Sequence, residues 1–229
     1  MRYKTSITSG PTESDRTIVG KSVTGLTALK CRYPEMFREA RLTKQTYLKT
    51  GDVQFDGMFP GGGLPSGLLV ELTGAASSGK TAVLFHLLAG YQYQYPLAYI
   101  DSSSTFFPLS AITAGIKVEQ LLVVTTDSSC ESVRIAENLF RLTPTRVIAC
   151  DVTGRNDKLK MEQMHRLRII TTRYQGMVIF LTDSRYQLFP PSLISLQLTV
   201  TRCTRNSAIV TVTRSKISPE GKNTEMTLV

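Results

Sequence analysis

The residues best suited to chemistry in this chain form a short loop of glycine, serine, lysine and threonine. The loop consists of Gly74, Ala75, Ala76, Ser77, Ser78, Gly79, Lys80 and Thr81. It fits the pattern G-x-x-x-x-G-K-T, in which small residues let successive backbone N–H groups converge on phosphate oxygens. Lys80 is predicted to reach the β- and γ-phosphates of a nucleotide, and the Thr81 hydroxyl to ligate Mg²⁺. The loop therefore predicts a site for ATP or ADP with Mg²⁺.

The segments on either side of the loop make this prediction credible. The apolar run at 68–73 precedes the loop and predicts a strand, and the run at 82–88 predicts a helix. A helix that begins directly after such a loop places its free N–H groups beside the bound phosphate. This context favours a phosphate site over an accidental glycine- and serine-rich turn.

A second candidate metal ligand, Asp151, follows the four apolar residues at 147–150. An acidic residue at the end of a buried strand is typical of the position that binds Mg²⁺, usually through water, beside a phosphate loop. Four apolar residues before an aspartate also occur in α/β proteins without this function. The prediction for Asp151 therefore depends on the loop that precedes it in the chain.

Strand-like and helix-like segments alternate after the loop. Strands are predicted at 97–101, 121–125, 146–151 and 176–183, and amphipathic helices at 131–142 and 157–173. The stretches 194–204 and 207–216 alternate as half-exposed antiparallel strands do, and 49–67 predicts a strand followed by a sharply bent loop. This order predicts an α/β fold with a mainly parallel twisted sheet, helices on both faces and a terminal antiparallel strand pair.

Length and charge suggest how the chain is divided. Its 229 residues fit one main core, and its formal charge of +9 favours a polyanion or an acidic protein face as partner. We expect a basic N-terminal arm with a short helix at 1–47, a nucleotide-binding core at 48–219 and a flexible tail at 220–229. Charge alone does not distinguish DNA from RNA or an acidic protein.

Cysteine usage and hydropathy bear on the cellular compartment. The sequence shows neither a membrane span nor a signal peptide, so a cytoplasmic protein is expected. The four cysteines, Cys31, Cys130, Cys150 and Cys203, have no C-x-x-C spacing. We expect them to be reduced and structural rather than to bind a metal.

Residues 51–58, the Gly-Gly-Gly-Leu-Pro-Ser-Gly run at 61–67 and the Ser-Ser-Gly-Lys-Thr of the loop together resemble the opening of a RecA-type P-loop ATPase core. The phrase Phe-Pro-Gly-Gly-Gly-Leu-Pro at 59–65 is similar to the ImuA family, short RecA-like proteins of translesion-synthesis cassettes, and to the related SulA-like group. The resemblance spans roughly 48–219 and implies a RecA-like fold.

The chain departs from the RecA pattern at several functional positions. Ser103 stands where that pattern has the glutamate that activates water, and a serine hydroxyl is not a base near neutral pH. The adenine-stacking aromatic falls near Ser110, which leaves Phe106 or Phe107 as candidates, although both could be core residues. Asp183 replaces an amide that senses the γ-phosphate.

Two basic residues match the pattern instead. Arg214 and Lys216 fall at positions where RecA touches the ATP of a neighbouring subunit. They could preserve that interface contact in a homo-oligomer or with RecA, or they could be ordinary exposed strand residues.

The resemblance implies an accessory factor of the DNA damage (SOS) response that binds an ImuB-like polymerase subunit, and possibly RecA, during translesion synthesis. Hydrolysis of ATP is expected to be weak or absent because of Ser103. The segment at 184–193 is too short for a recombinase DNA loop, so strand exchange is not expected. Two alternatives remain open: a DNA-dependent ATPase with its base elsewhere, and a SulA-like inhibitor of cell division or antagonist of RecA.

Overall fold

The computed structural model describes residues 45–155, 157–185 and 187–228. All but the last three residues of the predicted N-terminal arm at 1–47 lie outside these ranges, as does its short helix. In the described part of the chain, no helix combines the length and the apolar character needed to cross a bilayer.

The described residues form ten strands and five helices. The strands are β1 (Tyr47–Leu48), β2 (Leu64–Pro65), β3 (Leu68–Thr73), β4 (Leu97–Asp101), β5 (Leu121–Thr125), β6 (Val147–Asp151), β7 (Met177–Leu181), β8 (Leu196–Thr204), β9 (Ser207–Ser215) and β10 (Asn223–Thr227). The helices are α1 (Val53–Gly57), α2 (Lys80–Gln92), α3 (Pro108–Thr113), α4 (Ser129–Leu142) and α5 (Met161–Arg173), with a 3₁₀ turn at Val118–Gln120.

Eight of these strands form one sheet in the order β10-β9-β8-β3-β7-β6-β4-β5. The pairs from β8 to β5 are all parallel, whereas β8, β9 and β10 pair antiparallel. The predicted α/β fold with a mainly parallel sheet and a terminal antiparallel pair is confirmed. β3, which leads into the loop, lies between β8 and β7, so these two strands flank the loop at its base.

The core lies on both faces of the sheet because the central strands alternate their apolar side chains between two layers. Val70 and Leu72 of β3 belong to the layer into which α2 packs, whereas Leu69 belongs to the layer that α4 and α5 cover. All six residues of β3 are buried. Strands buried on both faces read as continuous apolar runs, which is why the sequence located them correctly.

Two predicted segments are wrong in type. Residues 49–58 were expected as a strand, but they contain α1, because the Asp52 side chain accepts hydrogen bonds from the backbone N–H groups of Gln54 and Phe55. Residues 220–229 were expected as a flexible tail, but they contain β10, which pairs with β9 and buries Met226. The cap of α1 is local, whereas β10 depends on its pairing with β9, which no local pattern predicts.

One helix boundary also differs from the prediction. Asp157 was expected to begin α5, which instead begins at Met161. The Asp157 carboxylate accepts hydrogen bonds from the backbone N–H and the hydroxyl of Ser129, at 2.7 and 3.0 Å. It therefore stabilises the N-terminus of α4, where free N–H groups favour a negative charge.

Candidate phosphate-binding site

The loop at 74–79 connects the end of β3 to the first turn of α2, which begins at Lys80. Gly79 has a φ of +87° and Ser77 a φ of +61°, so the backbone turns twice through the left-handed region. A Cβ on Gly74 would lie 2.5 Å from Ser78 Oγ and 2.7 Å from the Val200 carbonyl oxygen. Both glycines of the motif are therefore required by this loop geometry.

Lys80 is folded against its own loop. Its ammonium Nζ donates to the carbonyl oxygens of Gly74 at 3.3 Å and Ala75 at 3.1 Å, and the residue is 8% exposed. The Ser78 hydroxyl of the same loop is buried and has no hydrogen-bond partner among the residues that the structure describes. An unpartnered buried hydroxyl is costly, so a ligand that accepts a hydrogen bond there would stabilise the loop.

A cavity of about 660 Å³ lies above the loop. The loop and the first turn of α2 line it. So do Leu109 and Ser110 of α3 and Phe107, the residue before that helix. Arg202 of β8 and Leu228, which follows β10, also line the cavity and lie beside Gly79. Among the described residues that line the cavity, none is acidic, and Lys80 and Arg202 have cationic side chains. The cavity therefore suits an anion.

The candidate aromatic residues beside the cavity have different environments. Phe106 packs in the core, with its ring centroid 4.9 Å from that of Tyr99 and 6.0 Å from that of Phe85. Phe107 is 58% exposed and lines the cavity, as does Ser110. Of the two phenylalanines, only Phe107 is placed to meet a ligand in the cavity.

Ser103 is held by the aspartate that ends β4. Asp101 Oδ1 accepts hydrogen bonds from the backbone N–H and the hydroxyl of Ser103, each at 3.0 Å, and from the N–H of Thr105 at 3.3 Å. Asp101 Oδ2 accepts from the N–H of Phe106 at 2.9 Å. Asp101 therefore shapes the turn after β4, and the Ser103 hydroxyl donates a hydrogen bond to its carboxylate rather than presenting a base.

Asp151 has all four of its usual acceptor directions filled by protein donors. Its Oδ1 accepts from the N–H and hydroxyl of Thr153 at 3.0 and 2.6 Å, and its Oδ2 accepts from the hydroxyls of Tyr99 and Thr105, each at 3.0 Å. Burial, followed by the nearby Asp151 charge, raises the pKa of Tyr99 well above its ordinary value. Asp151 is 1% exposed, so contact with a metal-bound water would require one hydroxyl to move away.

Thr81 and Asp151, the two predicted Mg²⁺ ligands, sit differently. Thr81 is in the first turn of α2 and lines the cavity, so its hydroxyl fits the predicted metal contact. Asp151 ends β6, which β7 separates from the loop strand β3. Of the two residues, the structure presents Thr81 to the cavity and keeps Asp151 within the network of Tyr99, Thr105 and Thr153.

Asp183 follows β7 and lies beside the loop. Its carboxylate contacts the Arg185 guanidinium, with Nη2–Oδ2 at 2.8 Å and Nε–Oδ1 at 3.1 Å. Hydrogen bonds from the Arg185 side chain and backbone, with a smaller contribution from the Lys80 charge, lower the pKa of Asp183 to about 2. Asp183 is therefore ionised at neutral pH close to where Lys80 would meet a phosphate.

Arg214 and Lys216 lie outside the cavity of the loop. Arg214 lines a separate recess with Glu71, whose pKa burial raises, while hydrogen bonds from Thr182 and Gln197 and the Arg214 charge oppose that shift. Lys216 Nζ donates to the carbonyl oxygen of Ser192, and burial and then the charges of Arg168 and Arg214 lower its pKa. Both residues are exposed on β9 or just after it, which leaves them available to another molecule.

The sequence reading missed Arg202 and Leu228 as wall residues of the cavity. Both lie more than a hundred positions beyond the loop, and neither belongs to a local motif. Their place beside Gly79 follows only from the pairing of β8 with β3 and of β10 with β9. No signal in the sequence alone pointed to them.

A phosphate loop at the carboxyl end of a central strand, in a mainly parallel sheet with helices on both faces, defines a P-loop α/β protein. The chain belongs to the RecA family, since the model described as the RecA N-terminal domain matches residues 36–181. The expected resemblance to RecA is thereby confirmed, whereas the finer resemblance to the ImuA and SulA-like groups stays a prediction.

Curated relatives carry the same description. The chain is 35% identical to Protein RecA of Herpetosiphon aurantiacus over 105 residues, which cover 45% of this chain and 29% of the relative. It is 26% identical to Protein RecA of Caldanaerobacter subterraneus over 157 residues, covering 60% and 46%. For Protein RecA of Synechococcus elongatus the identity is 32% over 113 residues, covering 49% and 31%. The chain therefore spans less than half the length of these relatives.

Proposed function

We propose that this chain is a nucleotide-binding accessory factor of the DNA damage response. It acts through partner binding in an ImuA-like role in translesion synthesis, with weak or no ATP hydrolysis and no strand exchange. The observation that carries the proposal is the contrast between the phosphate loop and the turn that follows β4. The loop has every element needed to hold phosphate, whereas the position of the catalytic glutamate is Ser103, bonded to Asp101.

Binding rests on the loop and its cavity. The backbone N–H groups at the start of α2, the Lys80 ammonium and the Ser78 hydroxyl would contact the phosphates of ATP or ADP. Lys80 would exchange its carbonyl partners on Gly74 and Ala75 for phosphate oxygens, and Thr81 would hold the Mg²⁺. Bound Mg²⁺ would supply positive charge to the β- and γ-phosphates.

Weak turnover is expected from the residues at the end of β4 and in the turn that follows it. Ser103 offers no base to activate water, and the nearest carboxylate, Asp101, is occupied by four protein donors. Nucleotide would then serve as a ligand that orders the loop rather than as a substrate for hydrolysis.

The absence of strand exchange is supported by the segment between β7 and β8. Its side chains Leu188 and Phe189 are buried, and the Phe189 ring lies 4.6 Å from that of Phe180. A short connection anchored in the core in this way leaves little chain to reach into DNA. The expected partners are an ImuB-like polymerase subunit and RecA, with DNA reached through the basic surface.

Nucleotide binding and turnover on the purified protein test this proposal. We expect calorimetry to show ATP or ADP binding, phosphate release to stay near background with or without single-stranded DNA, and Lys80→Ala to lose binding while thermal unfolding shows an intact fold. Unchanged affinity in Lys80→Ala would contradict the proposal. DNA-stimulated turnover would favour the DNA-dependent ATPase instead, and partner binding that ignores nucleotide would favour the SulA-like inhibitor.

A further inference from the structure

We propose that Arg202 contacts the phosphates of the nucleotide bound by the loop of the same chain. The proposal deepens the function proposed above and rests on it. It assigns a role to a residue of β8 that lies outside the loop motif. It separates this residue from Arg214 and Lys216, the two candidates for a contact with the nucleotide of another subunit.

The register of β8 places Arg202 beside the loop. β8 pairs with β3 in parallel from Val70↔Leu196 to Thr73↔Thr199, and it continues to Thr204 after β3 has ended. Its extension therefore runs alongside the loop, where the Val200 carbonyl oxygen approaches Gly74. Side chains alternate along a strand, so Arg202 shares the face of Val200, which is the face that α2 covers.

The guanidinium lies over the N-terminus of α2. Its Nη2 and Nε atoms are 3.2 and 3.6 Å from the point that a Cβ on Gly79 would occupy. Its Nη1 donates to the Arg205 carbonyl oxygen at 2.8 Å. This hydrogen bond holds the guanidinium in place. Because Gly79 has no side chain, nothing of that residue separates the guanidinium from the loop backbone.

The charge of Arg202 is the least compensated one at the cavity. Within residues 45–155, 157–185 and 187–228, no carboxylate forms an ion pair with it. Lys80, by contrast, is bonded to two loop carbonyls and feels the Asp183 charge. The buried, unpartnered Ser78 hydroxyl lines the same cavity, so two donors of different kinds are available to one anion.

An arginine at this place would act on phosphate rather than on the base. Guanidinium groups form strong, charge-assisted hydrogen bonds to phosphate oxygens. Gly79 and the start of α2 are also where the loop's own N–H groups are available to phosphate. Since Arg202 and the loop belong to one chain, its contribution should not depend on protein concentration or on oligomer formation.

The test measures affinities of Arg202→Gln for ATP, ADP and inorganic pyrophosphate by calorimetry. Arg205→Gln is the matched control, because Arg205 is an exposed arginine of the same hairpin that supports Arg202 only through its backbone carbonyl. We expect Arg202→Gln to weaken the affinity for each of the three ligands by on the order of tenfold. Arg205→Gln should change these affinities by less than about twofold. Both variants should unfold at the same temperature as the wild type.

Each other outcome contradicts the proposal in a distinct way. Wild-type affinity in Arg202→Gln for all three ligands would overturn the role of Arg202 alone. Weaker affinity for ATP and ADP with an unchanged affinity for pyrophosphate would indicate that the arginine contacts the base or sugar, and would overturn the phosphate contact. Wild-type protein that binds none of the three ligands would overturn both this proposal and the nucleotide-binding function.

Discussion

The Ser103 hydroxyl donates a hydrogen bond to Asp101 Oδ1 across 3.0 Å, and the Ser103 backbone N–H donates to the same oxygen. The turn after β4 is therefore held mainly by backbone donors, since the N–H groups of Thr105 and Phe106 also reach Asp101. The side chain of residue 103 adds its bond to Asp101 and a contact of 2.8 Å with the Thr105 hydroxyl to a turn that three backbone N–H groups already fix. This position can be changed without losing the geometry of the turn.

Ser103→Glu should increase ATP turnover. The substitution retains the three backbone hydrogen bonds to Asp101 and adds a carboxylate where the RecA pattern places its base. General base catalysis typically contributes about 10²–10⁴-fold to a rate, and we expect a detectable rise in phosphate release towards the lower end of that range. Ser103→Gln, which has the same length without a charge, should stay at background. Equal rates in the two variants would contradict the role assigned to residue 103.

Asp183→Asn should shift the nucleotide preference towards ATP. Asp183 is ionised beside the loop, and the Lys80 charge contributes to its low pKa, so its carboxylate should repel a γ-phosphate that ADP lacks. Removing the charge should raise the ratio of ATP to ADP affinity by roughly threefold to tenfold. Calorimetry with both nucleotides measures this ratio. An unchanged ratio would mean that Asp183 does not face the terminal phosphate.

The same aspartate should contribute to stability in a defined pH window. Its folded pKa of about 2 lies below its ordinary value of 3.8, so the unfolded state binds the proton more readily. The stabilisation is therefore present above pH 4 and is lost as the pH falls towards 2. We expect urea unfolding at pH 3 and pH 7 to show a smaller pH dependence in Asp183→Asn than in the wild type. Asp127→Asn, which changes an exposed aspartate, should retain the wild-type dependence.

Phe107→Ala should weaken the affinity for ATP and ADP but leave the affinity for pyrophosphate unchanged. Phe107 is exposed and lines the cavity, and stacking of a base on an aromatic ring typically contributes about 1–3 kcal/mol. Tyr93→Ala removes another exposed aromatic ring outside this cavity and serves as the control. A loss of pyrophosphate affinity in Phe107→Ala would indicate a disturbed loop rather than a lost stacking contact.

Gly90→Ala should destabilise the fold. A Cβ on Gly90 of α2 would lie 1.9 Å from the Thr50 carbonyl oxygen, so the helix and the segment before α1 would have to separate. Overpacking of this kind typically costs about 1–3 kcal/mol. Gly57→Ala is the control, because a Cβ there meets no atom within 4 Å, and it should leave the free energy of unfolding nearly unchanged. Urea unfolding of both variants measures the difference, and equal stabilities would contradict the close contact.

The sequence by itself determined the features that repeat over a few residues. The loop at 74–81, the strands β3, β4, β5, β6 and β7 and the helix α4 were located from local patterns, because a buried strand and an amphipathic helix each impose a short period on their residues. The serine at position 103 was likewise readable, since it follows a strand that ends in an aspartate. The fold class followed from the order of these elements.

Only the tertiary structure decided which distant residues meet the loop. Arg202 and Leu228 reach Gly79 because β8 extends past the end of β3 and β10 pairs with β9. The tertiary structure also packed Phe106 against the core while leaving Phe107 in the cavity, and it turned the predicted tail into a strand. Such contacts join residues far apart in the chain, and sheet order, which no local period encodes, determines them.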